Sequence, residues 1–335
     1  MERLIIDTDT AGDDCVSLLI ALRSPNIKVE AITINCGNVR FGQQVENALY
    51  TLEVAGFGGQ IPVYPGAEWP LLQRHKTIEY IHGRDGMGDS FFSKAVQRPE
   101  SEHAVDAIIR LINANPGELT ILAQAPLTNL ALAVSRDPSI VTKVKHLWVM
   151  GGTNNALGNV TPAVEFNVWV DPEAAKIVFQ AGFPLTMVGW EICTRHAVLD
   201  AETTAVIEQM DTPLSRFFLQ INRTVRRFTT IEQGLAGTTH PDAIVSAMIV
   251  DPEIMTKSAE YFVDVETQGT MTRGATVVDV LGVLTEGGGT RGEALGPDAL
   301  PEDLLAIPKR RPNARVCLEA DAARFRALLL TVLSS

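Results

Sequence analysis

Leu4-Ile-Ile-Asp7-Thr-Asp9-Thr-Ala-Gly-Asp13-Asp14 opens the chain with a short apolar run that ends in four carboxylates within eight residues. The run reads as a buried strand, and the acids as the turn at its carboxyl end. Crowded together out of water, four carboxylates would repel one another and raise each other's pKa values. A hard divalent cation held by oxygen ligands is the simplest way to keep them ionised. A plainer reading, an acidic turn that caps a helix, explains one or two Asp residues and leaves the others over.

Working outward, the same punctuation recurs. Leu4–Ile6, Ile27–Asn35, Glu118–Ala123, Val144–Met150 and Pro184–Val188 read as strands. Between them Cys15–Leu22, Gln43–Ala55, Ala104–Asn113, Thr128–Val134 and Asp171–Gln180 carry helical patterns. Continuous apolar strands alternating with helices predict an α/β fold: a mostly parallel central sheet with helices on both faces, in a single domain over residues 1–335. Asp9, Asn38, Gln124 and Gly151 each follow a strand-like run. In a parallel sheet such ends face one side, where ligands bind, so distant segments are expected to converge on one crevice.

Composition narrows the function classes. The 335 residues are 46% hydrophobic and 20% charged, which suits a globular enzyme with a large core. Lys+Arg 28 against Asp+Glu 40 gives a net charge of −12, which disfavours a nucleic-acid binder. Cys15, Cys36, Cys193 and Cys317 are scattered, without zinc spacing, as in a reducing compartment. No signal peptide or membrane-length apolar run is visible, so a cytoplasmic protein without membrane contact is expected. Glu286–Gly292 is expected as a flexible loop, and Gly83–Gly88 as a mobile flap over the crevice.

Two further segments carry chemistry. In Asn159-Val-Thr-Pro-Ala-Val-Glu165-Phe-Asn167, two amides and a carboxylate suit vicinal hydroxyls, each donating or accepting in fixed geometry. The alternative is an extended loop that caps a helix starting near Asp171-Pro172. In His240-Pro241-Asp242, the acid is either an ordinary helix cap or the closing ligand of the metal shell.

Together, Asp7-Thr-Asp9-Thr-Ala-Gly-Asp13-Asp14, Asn35-Cys-Gly-Asn38-Val, Ala125-Pro-Leu-Thr-Asn-Leu-Ala131, Val149-Met-Gly-Gly152, Asn159–Ala175 and Asp242 resemble the inosine-uridine-preferring nucleoside hydrolase family. The resemblance implies a Rossmann-like nucleoside hydrolase fold and hydrolysis of ribonucleosides to base and ribose, in a homodimer or homotetramer. It implies Ca2+ held by Asp9, Asp14, Asp242 and the carbonyl oxygen of Gln124. Asp9 would also be the general base. Asp13, Asn38, Asn159, Glu165 and Asn167 would hold ribose hydroxyls, Met150 would line the sugar site, and Asp7 would orient the cluster.

The match is looser at the base. The family has members with His directly before the last Asp; here Pro241 stands there and His240 is one step away. His240 and His82 are both candidates for the acid that protonates the leaving base. Both histidines, with Trp190, Asn222, Arg226 and Phe228, are base-pocket candidates, the last three placed on one helix; the alternatives are Trp190 in the core and Arg223, Arg226 and Arg227 as a solvated face. Two other readings stand beside this one. Asp7-Thr-Asp9-Thr10 partly resembles the nucleophile motif of haloacid dehalogenase-type phosphatases. A non-catalytic nucleoside- or sugar-binding protein on the same scaffold is the other.

Overall fold

The computed structural model describes residues 1–285 and 309–335; Glu286–Gly292 lies outside them. Strands β1 (Glu2–Thr8), β2 (Ile27–Ile34), β3 (Val63–Pro65), β4 (Leu119–Gln124), β5 (His146–Met150) and β6 (Leu185–Val188) are joined by helices. These helices are α1 (Gly12–Arg23), α2 (Phe41–Val54), α3 (Glu79–His82), α4 (Ala104–Ala114), α5 (Thr128–Arg136), α6 (Phe166–Val170) and α7 (Pro172–Gln180). There follow α8 (Trp190–His196), β7 (Val198–Asp200), α9 (Ala201–Met210), α10 (Pro213–Ile221), α11 (Arg223–Ile231), β8 (Gly237–Thr239) and α12 (Pro241–Val250). Strands β9 (Met255–Tyr261), β10 (Val263–Val265), β11 (Thr276–Val278) and β12 (Ala314–Ala320) and a C-terminal helix, Ala322–Leu333, complete the described residues.

Eight strands form the central sheet in the order β3-β2-β1-β4-β5-β6-β12-β9, parallel except for β9 at the edge. The opening run shows why. Leu4 and Ile6 pack into the core beneath α1, α2 and α12, while Ile5 packs into the core beneath α4, α5 and α7. A strand buried on both faces has no polar side to spare. The direction of progression through the sheet reverses between β1's two neighbours, β2 and β4, and such a switch point opens a crevice at the strands' carboxyl ends. Thr8 pairs with Ile34 and Gln124 there, so Asp9 emerges at the crevice.

Helix α1 begins at Gly12, before the expected Cys15, which places Asp13 and Asp14 in its first turn. The helix-capping reading thus accounts for one of the four acids: Asp14 accepts the Ala11 N–H at 2.9 Å. Helices α1 and α12 pack side by side, tied by Ser246 Oγ donating to the Ser17 carbonyl at 3.0 Å. Asp242 lies in the first turn of α12, so two helix N-termini point their positive dipole ends at the same acids.

Candidate active site

The acids occupy distinct settings. Asp7 is fully buried; its carboxylate accepts from Thr33 Oγ1 at 2.6 Å, Asn129 Nδ2 at 2.8 Å and Asn35 Nδ2 at 3.2 Å. It ties β1 to β2 and α5 and does not line the cleft, so it is not placed as a phosphatase nucleophile. Asp14 accepts from Thr8 Oγ1 at 2.5 Å, Gln124 Nε2 at 3.1 Å and Asn38 Nδ2 at 3.1 Å. Asp9 lines the cleft and accepts the Asn38 N–H at 2.9 Å. Gly37 permits this: a Cβ there would lie 1.7 Å from Asp9 Oδ2.

Ligand atoms of Asp13, Asp14 and Asp242 lie within 4.8 Å of one another. This trio contains Asp13, expected at a ribose hydroxyl, and not Asp9, whose carboxylate turns toward Asn38. Burial pushes Asp13 up to about 6 and Asp14 to about 7, with the charge of Asp13 adding to the latter. Burial and the neighbouring acids push Asp9 and Asp242 well above the ordinary carboxylate range. Asp13 Oδ1 is buried without a hydrogen-bond partner. An all-oxygen group with an unsatisfied ligand atom fits a hard divalent cation. The expected backbone donor, Gln124, ends β4 and lines the cleft. Its side chain braces the cluster, accepting from Ser17 Oγ at 2.6 Å while donating to Asp14.

Met150, Asn159, Glu165 and Asn167 line the same cleft, with Asn38 beside the acids. The segment after Asn159 is not extended up to Asp171: α6 intervenes, because Glu165 caps it, accepting from the N–H groups of Asn167 and Val168. A third N–H, of Gly152, donates to Glu165 at 2.9 Å, and burial raises its pKa to about 7. Asn167 Nδ2 donates to the Met150 carbonyl at 3.1 Å, and Asn159 Oδ1 accepts the Phe166 N–H at 2.9 Å. The capping reading thus holds for Glu165, and all three side chains also line the cleft.

The rest of the cleft is lined by Ile78, Ile81, His82, Trp190, Val225, Phe228, Thr229 and Gln233, with Thr239 and Pro241. The cleft's free volume is about 80 Å3. His82 Nδ1 lies 3.6 Å from Asp13 Oδ1, beyond a good hydrogen bond, and burial lowers its pKa to about 4.

His240, Asn222 and Arg226 lie elsewhere. They line a separate cavity behind α11 and β8. The reason is periodicity: Thr239 and Pro241 face the cleft, so His240, between them, faces away. On α11, Val225, Phe228 and Thr229 form the cleft face and Arg226 the opposite one. Asn222 sits at the junction of α10 and α11, not within one helix. The i, i+3, i+4 spacing of Val225, Phe228 and Thr229 is the signal that identifies them once the helix is recognised.

The expected flap is a pinned loop. The buried Asp85 carboxylate accepts from the N–H groups of Met87 at 2.8 Å, Asp89 at 2.9 Å and Phe91 at 2.6 Å. Gly88 lets it press on α10, where a Cβ would meet the Gln220 carbonyl at 2.4 Å. Replacing Asp85 with Ala strands three donors and should cost about 2–4 kcal/mol. Urea unfolding checks this; an unchanged midpoint would mean that other contacts hold the loop.

Comparison with known proteins agrees with this fold. The family model described as inosine-uridine preferring nucleoside hydrolase matches residues 4–327. A pyrimidine-specific ribonucleoside hydrolase of Escherichia coli is 32% identical over 289 residues, covering 86% of this chain and 91% of the relative. A solved plant nucleoside hydrolase superposes with a TM-score of 0.87 at 30% identity, covering 100% of this chain and 99% of that one. A purine-preferring ribonucleoside hydrolase from Gardnerella vaginalis gives 0.85 at 27%, covering 99% and 98%. By the extent of these matches, the chain belongs to the inosine-uridine preferring nucleoside hydrolase family.

Proposed function

We propose that this chain, acting as one domain, hydrolyses the N-glycosidic bond of ribonucleosides to free base and ribose in a Ca2+-dependent reaction. The observation that carries the reading is one cleft at the switch point that gathers the buried acids with Asn159, Glu165 and Asn167. Asp9, Asp14, Asp242 and the Gln124 carbonyl would hold calcium. When bound, the ion supplies positive charge that acidifies water and orients a diol. Asp9, lining the cleft and held by Asn38, takes the proton of the attacking water. Asp13, Asn38, Asn159, Glu165 and Asn167 position the ribose hydroxyls, and Met150 packs on the sugar. The acidic wall favours the cationic, oxocarbenium-like sugar of the transition state. Asp7 acts by fixing β1, β2 and α5 beneath the cluster.

Incubation with inosine, adenosine, uridine and cytidine in calcium, assayed for free ribose, tests the reading. No release from any of them would overturn it. The ranking of kcat/KM across the four identifies the preferred base, on which the relatives' names differ. For the leaving base, His82 is the histidine that reaches the cleft. It is neutral at pH 7, which suits a hydrogen bond to the base. His82→Ala should lower kcat by about 10^2 with KM little changed; an unchanged kcat would leave activation to solvent. Among the described residues no helix is long and apolar enough to cross a membrane, and all four cysteines are free and buried. The free cysteines support a cytoplasmic enzyme. The homodimer or homotetramer is checked by light scattering.

A further inference from the structure

His82 ends α3, and Asp13 stands in the first turn of α1, with 3.6 Å between Nδ1 of the one and Oδ1 of the other. Neither atom has a hydrogen-bond partner, so contacts elsewhere set their separation. One side chain joins the two segments. Asn47 of α2 is buried, and its Nδ2 donates to the Thr10 carbonyl at 3.0 Å and to the Asp85 carbonyl at 2.8 Å. Thr10 precedes Asp13 by three residues, and Asp85 follows His82 by three.

The residue type suits this task. An amide nitrogen carries two donors on one atom, and both are used here. Gln43, one turn earlier on α2, donates its Nε2 to Asn47 Oδ1 at 2.9 Å, which fixes the way the amide faces. Gly86 lets the loop press on the amide, since a Cβ there would lie 3.0 Å from Asn47 Nδ2. The loop is stiff on its own account. The Asp85 carboxylate gathers three of its N–H groups, and the His82 carbonyl accepts the Gly88 N–H at 2.9 Å. A shift of the Asp85 carbonyl is therefore carried back to His82. Ahead of α3, the Ile78 N–H donates to the Asn38 carbonyl at 2.7 Å, so His82 is held from both sides. Asn is a poorer helix former than Ala, and Asn47 lies in mid-helix outside the cleft lining. Its two carbonyl partners supply the reason for an amide at this position.

We propose that Asn47 is a positioning residue: by binding the Thr10 and Asp85 carbonyls at once, it sets the place of His82 relative to the acids. The consequence for rate rests on the hydrolase reading, in which His82 serves the leaving base; the placement itself does not. A displacement of about 1 Å at a reacting group can cost about 10^2 in rate.

Asn47→Ala removes both donors. With the Ile78 anchor still in place, kcat should fall about 10-fold and KM change little. The loss should disappear when His82 is already gone: the double variant His82→Ala with Asn47→Ala should match His82→Ala within about 2-fold. A merely structural role would lower kcat by the same factor in both backgrounds. That result, or an unchanged kcat in Asn47→Ala, would overturn the proposal. Should Asn47→Ala not fold, Asn47→Ser keeps one donor and should show the same pattern with a fall of about 3-fold. A crystal structure of the folded variant reads the placement without turnover. The His82 ring should be displaced from Asp13 while Asp9 stays on the Asn38 N–H; a ring in its original place would overturn the proposal too. Failure of the hydrolase reading shows separately, as no ribose release from the wild type, and the crystal structure then still decides the placement.

Discussion

Asp9→Ala should lose nearly all turnover, a fall of about 10^4 in kcat or more. Removal of a general base alone costs up to about 10^4, and loss of a metal ligand adds to it. The structure also predicts how the loss will look. Asp9 accepts a main-chain N–H from Asn38 and packs on Gly37, so its removal frees Asn38, which also donates to Asp14. Calcium affinity should therefore weaken along with kcat. Asp9→Asn separates the two roles: it keeps the shape and a ligand oxygen but cannot take a proton. Ribose release in excess calcium is the measurement, and near-normal kcat in either variant would remove Asp9 from the chemistry.

Chelation should destabilise the protein, and more so as pH rises. In the folded, metal-free chain burial holds Asp13 at about 6 and Asp14 at about 7, above their ordinary values. The folded state then binds more protons than the unfolded state between about pH 4 and 7, so stability falls as pH rises through that window. For Asp14 the loss is on the order of 4 kcal/mol once it is ionised. A bound cation compensates the ionised form and flattens the dependence. Calorimetry at pH 4.5, 6 and 8 should show Tm with chelator falling about 5–10 °C below the calcium form at the highest pH. Coincident Tm values in calcium and chelator at all three would sink the metal assignment.

How far the sequence was legible follows from burial. β1, β2, β4, β5 and β6 carry apolar runs on both faces because both faces are covered in mid-strand, and such runs announce themselves. The edge strand β9, Met-Thr-Lys-Ser-Ala-Glu-Tyr, is half exposed and reads as no particular element. The start of α1 was hidden because an acidic first turn resembles a loop. The acids and the Asn159–Asn167 segment were legible from unusual polar density. Their geometry was not: Asp13 closes on Asp14 and Asp242 while Asp9 turns toward Asn38, since side-chain direction is set by contacts such as Asn38 and Gly37. The base end was least legible. The arginines of α11 mask the apolar face beside them, and the side taken by His240 depends on a one-residue alternation that appears only once β8 is placed.

The side-by-side packing of α1 and α12 has a consequence for the nascent chain. Ser17 and Ser246, which join them, are 229 positions apart. At about 5–20 residues per second, the N-terminal acids emerge roughly 10–50 s before the helix that completes their surroundings. During that interval the acids of α1 are uncovered, hydrated and inexpensive to keep charged. A ribosome-bound fragment ending before α12 should therefore be inert and weak in cation capture, and capture should begin only as Asp242 clears the exit tunnel.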